Sequence, residues 1–197
     1  MRGDAPRSAV RIFGIDPGSL RTGYGCVDLE GTRCRMVSCG ALAAPAKAAL
    51  PDRLQFLHDG LSRLIRESSA SCVVIENLFH AKNVRSALVL GHARGVAVLA
   101  AVQAGLPVLE YTPAEIKLAV VGYGRAEKHQ IQHMVKLLLG LEAAPKPHDA
   151  ADALAVAICH AHSSRSFDPA TARGRRVSGP RSWRDVPLSA LPRRQAT

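Results

Sequence analysis

The chain opens with three apolar, partly β-branched runs, at residues 11–16, 22–29 and 33–41. Turn formers close the first run at Asp16-Pro17-Gly18-Ser19, and Asp28-Leu29-Glu30-Gly31-Thr32 joins the second to the third. This is the pattern of three strands, and connections this short make them an antiparallel meander. At Pro51 the period changes. Leu54, Leu57, Leu61, Leu64 and Ile65 recur at helical spacing, with Asp52, Arg53, Asp59, Arg63 and Arg66 largely off that stripe, which predicts an amphipathic helix.

Residues 72–76 are short and continuously apolar up to Glu76, as expected of a parallel strand buried on both faces. A long helix is predicted from about residue 84 to 103, ending at Gly105, and another strand at 107–111. Thr112-Pro113-Ala114-Glu115 has the composition of a helix start, with Thr as N-cap, Pro at N1 and Glu at N3. A helix over about 128–139 stops at Gly140, and a last one runs from 148 to about 162. The resulting order, βββαβαβαα, predicts an α/β fold: a mixed sheet, meander plus parallel strands, flanked by helices. Residues 1–10 are expected to be a loose leader and 11–163 the domain. From residue 164 the chain is rich in Arg, Ser, Pro and Gly without periodicity, which predicts a disordered basic tail.

Charge adds a partner class. The 197 residues carry a formal +10, the footprint of a protein that meets a polyanion such as nucleic acid. Residues 164–197 hold eight Arg against two Asp, so +4 remains on the body. Five cysteines, Cys26, Cys34, Cys39, Cys72 and Cys159, form no CxxC pair and are expected as small buried side chains in a reducing compartment. The N-terminus lacks an apolar signal segment, and Arg85, His92 and Arg94 interrupt the most apolar helix. A soluble, cytoplasmic protein without membrane contact is expected.

Four acids are the candidate chemistry. Asp16 ends the first strand and Glu76 the fourth, so parallel neighbours would bring both to one sheet edge. Asp149 and Asp152 are spaced i, i+3 near the start of the last helix, on one face and close to its positive dipole end. Four converging carboxylates repel unless a cation neutralises them. Hard oxygen donors suit Mg²⁺, with Mn²⁺ as a substitute. Two such ions can activate a water and stabilise the leaving oxygen of a phosphodiester. The alternative is plainer: Asp16 as a turn residue, and Asp149 and Asp152 as decoration on a helix. Asp152 within Ala-Ala-Asp-Ala-Leu still needs a partner.

Further letters carry a resemblance. Gly14-Ile15-Asp16-Pro17-Gly18-Ser19, Thr22-Gly23-Tyr24-Gly25, Ile75-Glu76, Ala81-Lys82-Asn83, Gly91-His92-Ala93-Arg94-Gly95-Val96, Val121-Gly122, Ala126-Glu127-Lys128 and Asp149-Ala150-Ala151-Asp152-Ala153-Leu154 resemble the bacterial RuvC Holliday junction resolvase family over about residues 11–163. The resemblance implies an RNase H-like fold with a five-stranded sheet, a homodimer, Mg²⁺ dependence and paired symmetric nicks across a four-way DNA junction. It carries the family's acidic tetrad onto Asp16, Glu76, Asp149 and Asp152. Lys117 and Lys128 match basic residues near the scissile phosphate, and Phe79 matches an aromatic that stacks at the junction centre. It also implies the RuvA–RuvB branch-migration complex as partner and dimerisation through the helix holding Gly91-x-x-x-Gly95.

On the residues alone, Phe79 suits a core aromatic better than a wedge into a base stack, and only the resemblance reverses that order; Lys82, Arg85, Arg94 and Arg125 suit either phosphate contacts or a solvated face. His129 and His133 are i, i+4 but lack the Glu of a zinc-protease helix, so they are expected on a surface or facing DNA. The resemblance further implies that His148, beside Asp149, can assist but is not needed as a ligand, because some members carry His where this chain has Asp149. Two other functions are weighed. An actin- or sugar-kinase-like ATPase would explain Asp-Pro-Gly-Ser-x-x-Thr-Gly but needs two large lobes. A non-catalytic DNA-architecture protein would explain the charge but not the four acids.

Overall fold

The computed structural model describes residues 9–77 and 83–165. Five strands form one sheet in the order β3-β2-β1-β4-β5. β1 (Val10–Asp16), β2 (Arg21–Glu30) and β3 (Arg33–Ala43) make the antiparallel meander, while β4 (Cys72–Glu76) and β5 (Val108–Tyr111) run parallel to β1. The helices are α1 (Leu50–Ser68), α2 (Val84–Gln103), α3 (Pro113–Val121), α4 (Lys128–Leu138) and α5 (His148–Arg165). Three helices follow β5 rather than two, because Gly122, at φ 89°, ends α3 before α4 begins. β1 starts inside the expected leader, at Val10, and α5 runs to Arg165, past the expected boundary at 163.

Local chemistry explains the boundaries. At the start of α3, Thr112 and Glu115 form a reciprocal capping box with Pro113 in the first turn. Asn83 caps α2 by accepting from the Ser86 amide at 2.8 Å. Across β1 and β2, the Arg11 guanidinium donates twice to Asp28, at 2.7 and 2.8 Å, and once to the Ser68 carbonyl at the end of α1.

Strand alternation divides the core between two faces. Phe13, Ile15, Val73 and Ile75 point to one face, where Leu61 and Ile65 of α1 and Ala97, Ala100 and Ala101 of α2 cover them. Ile12, Val27, Cys72 and Val74 point to the other, beneath α3, α4 and α5. β4 is buried on both faces, as its unbroken apolar run requires. Four cysteines are buried and Cys39 is half-buried, and none of the five forms a disulfide.

α5 is the central helix, buried at every position from Ala150 to Cys159 except Asp152. It lies unusually close to the sheet. A Cβ on Gly14 would sit 2.2 Å from the Ala153 carbonyl oxygen, one on Gly23 2.0 Å from that of Asp149, and one on Gly25 2.7 Å from Leu154. Gly14 and Gly25 are cross-strand partners, so β1 and β2 together form a flat seat for the alanine-rich helix. Gly14→Ala is expected to destabilise the protein by about 1–3 kcal/mol through overpacking. Gly124→Ala, where a Cβ meets nothing within 4 Å, should cost far less; paired urea unfolding curves check the contrast.

Candidate active site

Register brings the first two acids together. Ile15 of β1 pairs with Ile75 of β4 in parallel, so the next residues, Asp16 and Glu76, emerge side by side at the strand ends. Period two puts Asp16 on the face of Ile12 and Gly14, and Glu76 on that of Cys72 and Val74, which is the α5 face in both strands. Gly23 is the cross-strand partner of Asp16, and the Asp149 backbone rests directly on Gly23. Asp152 follows one turn along α5, as the single half-open position in a buried run.

The electrostatics show the convergence. Burial, then the carboxylates of Glu76, Asp152 and Asp149, push Asp16 up to about 8. Burial also raises Glu76, against the hydrogen bond from Asp16 and the charges of Lys128 and Lys117. Burial and mutual proximity thus hold both strand acids above the ordinary carboxylate range. Each helix acid faces a cation: Lys128 Nζ lies 2.6 Å from Asp152 Oδ2, and Arg21 Nη1 3.6 Å from Asp149 Oδ2. The Asp152 contact in turn raises Lys128.

Beside the acids opens a cleft of ≈ 320 Å³, lined by Asp16, Glu76, Asp152, Lys117 of α3 and Lys128 of α4, with Pro113, Ile116, Ile131 and Ala155 as an apolar wall. Among the described residues, no three His, Cys, Asp or Glu side chains close around an ion position. The donor chemistry nevertheless fits a hard divalent cation: the acids offer only oxygen, and burial and mutual repulsion disfavour their charged forms in the absence of an ion.

The remaining sequence candidates disperse. Arg85 on α2 and Arg125 in the α3–α4 turn are exposed. Arg94 departs from the expected backbone grip: its guanidinium donates to Glu110 of β5, whose other oxygen lies 3.5 Å from the Asn77 amide. Its charge is thus matched within the chain. His148 accepts from Gln132 of α4 at 2.6 Å. His129, beside Glu127, and His133 lie on the exposed face of α4. Phe79 and Lys82 fall outside the described residues. Arg21 was missed in the sequence, although strand alternation places it two residues before Gly23, on the same face. The Tyr111–His160 hydrogen bond, 2.9 Å, had no sequence signal.

Comparison with known proteins gives one answer. The sequence profile of the family "Crossover junction endodeoxyribonuclease RuvC" matches residues 12–160. The crossover junction endodeoxyribonuclease RuvC of Syntrophotalea carbinolica is 56% identical over 153 residues, 78% of this chain and 94% of that protein. That of Alkaliphilus oremlandii is 53% identical over 152 residues, 77% and 93%. Among solved structures, Thermus thermophilus RuvC in complex with Holliday junction substrate superposes with TM-score 0.76 at 32% identity, covering 80% of this chain and 96% of that one. The fold is RNase H-like.

Asp16 titrates higher in the folded chain than in the unfolded one, so the folded state holds the extra proton. Without metal, the contribution of Asp16 to stability is then greatest below the ordinary carboxylate range and is lost as pH rises through about 8. Asp16→Asn should flatten that fall and raise the melting temperature above pH 7; thermal melts in a chelator at several pH values test this.

Proposed function

Because this chain belongs to the RuvC family of crossover junction endodeoxyribonucleases and is therefore a nuclease, we propose that it is a cytoplasmic, homodimeric, Mg²⁺-dependent resolvase of four-way DNA junctions. It acts in homologous recombination and DNA repair, with the RuvA–RuvB branch-migration complex as its partner. Residues 11–163 are the nuclease domain, and the basic stretch 164–197 adds non-specific attraction to DNA.

One observation carries the reading: β1, β4 and the first turns of α5 converge so that Asp16, Glu76 and Asp152 line a cleft with two lysines, and the Asp149 backbone rests on the cross-strand partner of Asp16. Asp16, Glu76 and Asp152 would hold the divalent ions, and Asp149 would hold an ion or orient the water. Bound there, the ions supply an activated water and charge stabilisation at the leaving oxygen. Lys128 and Lys117 hold the scissile phosphate in the cleft, and its apolar wall keeps bulk water from screening them. Arg85, Arg125 and Lys82 track the backbone, and Phe79 stacks at the junction centre.

The dimer reading rests on α2. Its inner face, Ala93, Ala97, Ala100 and Ala101, packs on the sheet, whereas Val84, Leu88, Leu99 and Val102 are 77, 61, 48 and 51% exposed. With Gly91 and Gly95, where a Cβ would meet nothing, they form an outward stripe at 3–4 residue spacing. The glycines thus do not serve packing on the chain's own sheet. The helix has the length and apolarity of a bilayer span, but Arg85, His92 and Arg94 interrupt it, and a second copy covers the stripe without burying those charges in lipid. A two-fold dimer then presents two clefts to opposing strands of like polarity.

Asp16→Asn should abolish Mg²⁺-dependent cleavage of labelled synthetic junctions while junction affinity is kept or improved, since the variant has no carboxylate there to ionise against the DNA. Loss of binding alongside cleavage would argue against the metal role. Leu88→Arg should sediment as a monomer, bind junctions weakly and nick a single strand; symmetric double cuts by a demonstrated monomer would contradict the dimer.

A further inference from the structure

Arg21 is held at the rim of the acid cluster by backbone on every side. It is the first residue of β2, paired with Ala43 of β3, and the preceding Leu20 carbonyl accepts from the Ala44 amide at 2.9 Å. The following residue, buried Thr22, donates from Oγ1 to the Gly18 carbonyl at 2.8 Å and accepts from the Gly18 amide at 3.3 Å. Two residues on, Gly23 carries the Asp149 backbone. The base of the side chain is thus fixed relative to Asp149, while the side chain as a whole is 52% exposed and its guanidinium reaches that carboxylate at 3.6 Å.

We propose that Arg21 is the counter-ion of Asp149 in the metal-free protein and a DNA-phosphate contact once a divalent cation takes that carboxylate. Ion binding and junction binding then strengthen each other through this one side chain. The inference rests on the metal-site reading above. A half-exposed pair at this distance is weak, so an ion displaces it readily. A carboxylate engaged by a divalent ion no longer attracts the guanidinium. The freed fork, with donors matched to two phosphate oxygens, finds its nearest anion in the DNA backbone that enters the cleft. Thermodynamic reciprocity requires the coupling to act both ways. Lys128 differs: its 2.6 Å contact with Asp152 lies within the cleft itself, where it already faces the scissile phosphate.

The test uses the full chain, with Mn²⁺ titrated by electron paramagnetic resonance in the absence of DNA. Affinity for a labelled four-way junction is measured in EDTA and in Ca²⁺. Arg21→Ala, with its fold checked by melting, is expected to bind Mn²⁺ a few-fold more tightly than the unmodified protein, because a competitor is gone. Its gain in junction affinity on adding Ca²⁺ should shrink by a similar factor, and Arg21→Lys should recover part of that gain. Unchanged or weaker Mn²⁺ binding by Arg21→Ala overturns the proposal, as does an equal loss of junction affinity with and without Ca²⁺. Asp16→Asn separates the two levels. If it binds Mn²⁺ as well as the unmodified protein does, the metal-site reading fails and this inference with it. If only Arg21→Ala misbehaves, the inference alone fails.

Discussion

The approach of α5 to the sheet, backbone against backbone at Gly14, Gly23 and Gly25, fixes where the four carboxylates meet. Any side chain at those positions would hold the helix away from the strands, because protein interiors have no slack for an extra carbon. The alanines at 150, 151, 153, 155 and 157, all buried, remove the matching bulk from the helix side. The closeness has a chemical purpose. Asp149 sits over the cross-strand partner of Asp16, and Asp152 follows one turn later with enough opening to reach the cleft.

The same closeness leaves the metal-free site electrostatically unfavourable. Asp16 is forced to keep a proton well above the ordinary carboxylate range, through burial and through its neighbours. Lys128 and Arg21 offset part of the negative charge through direct contacts with the two acids of α5, and Lys128 and Lys117 also act on Glu76 at the strand end. Such a cluster lowers stability and persists because the surrounding fold holds it in place, as functional clusters of like charge commonly do. Its natural complement is a small divalent cation, which is why the nuclease assignment and the electrostatics agree.

On the opposite side of the sheet, α2 divides its apolar residues between two duties. The alanine face completes the core, and the Val84-Leu88-Leu99-Val102 stripe faces outward. An exposed apolar stripe of this length is costly in water unless another surface covers it. Placing that surface behind the sheet leaves the cleft open to a large polyanion.

Much of this was legible in the letters. Period and turn chemistry marked the three meander strands, the capping box at Thr112, and the unbroken run ending at Glu76, because each depends on neighbours a few residues away. The i, i+3 spacing of Asp149 and Asp152 implied a shared face for the same local reason. The pairing of β1 with β4, and hence the meeting of Asp16 with Glu76, was only a condition in the sequence; contacts across some sixty residues depend on register, which no local pattern encodes. The capture of Arg94 by Glu110 and the place of Arg21 beside Asp149 were likewise decided in three dimensions. A cation's partner is whichever anion the fold carries to it. The glycines were visible as motif letters, but why they must be glycine emerged only with α5 laid on top of them.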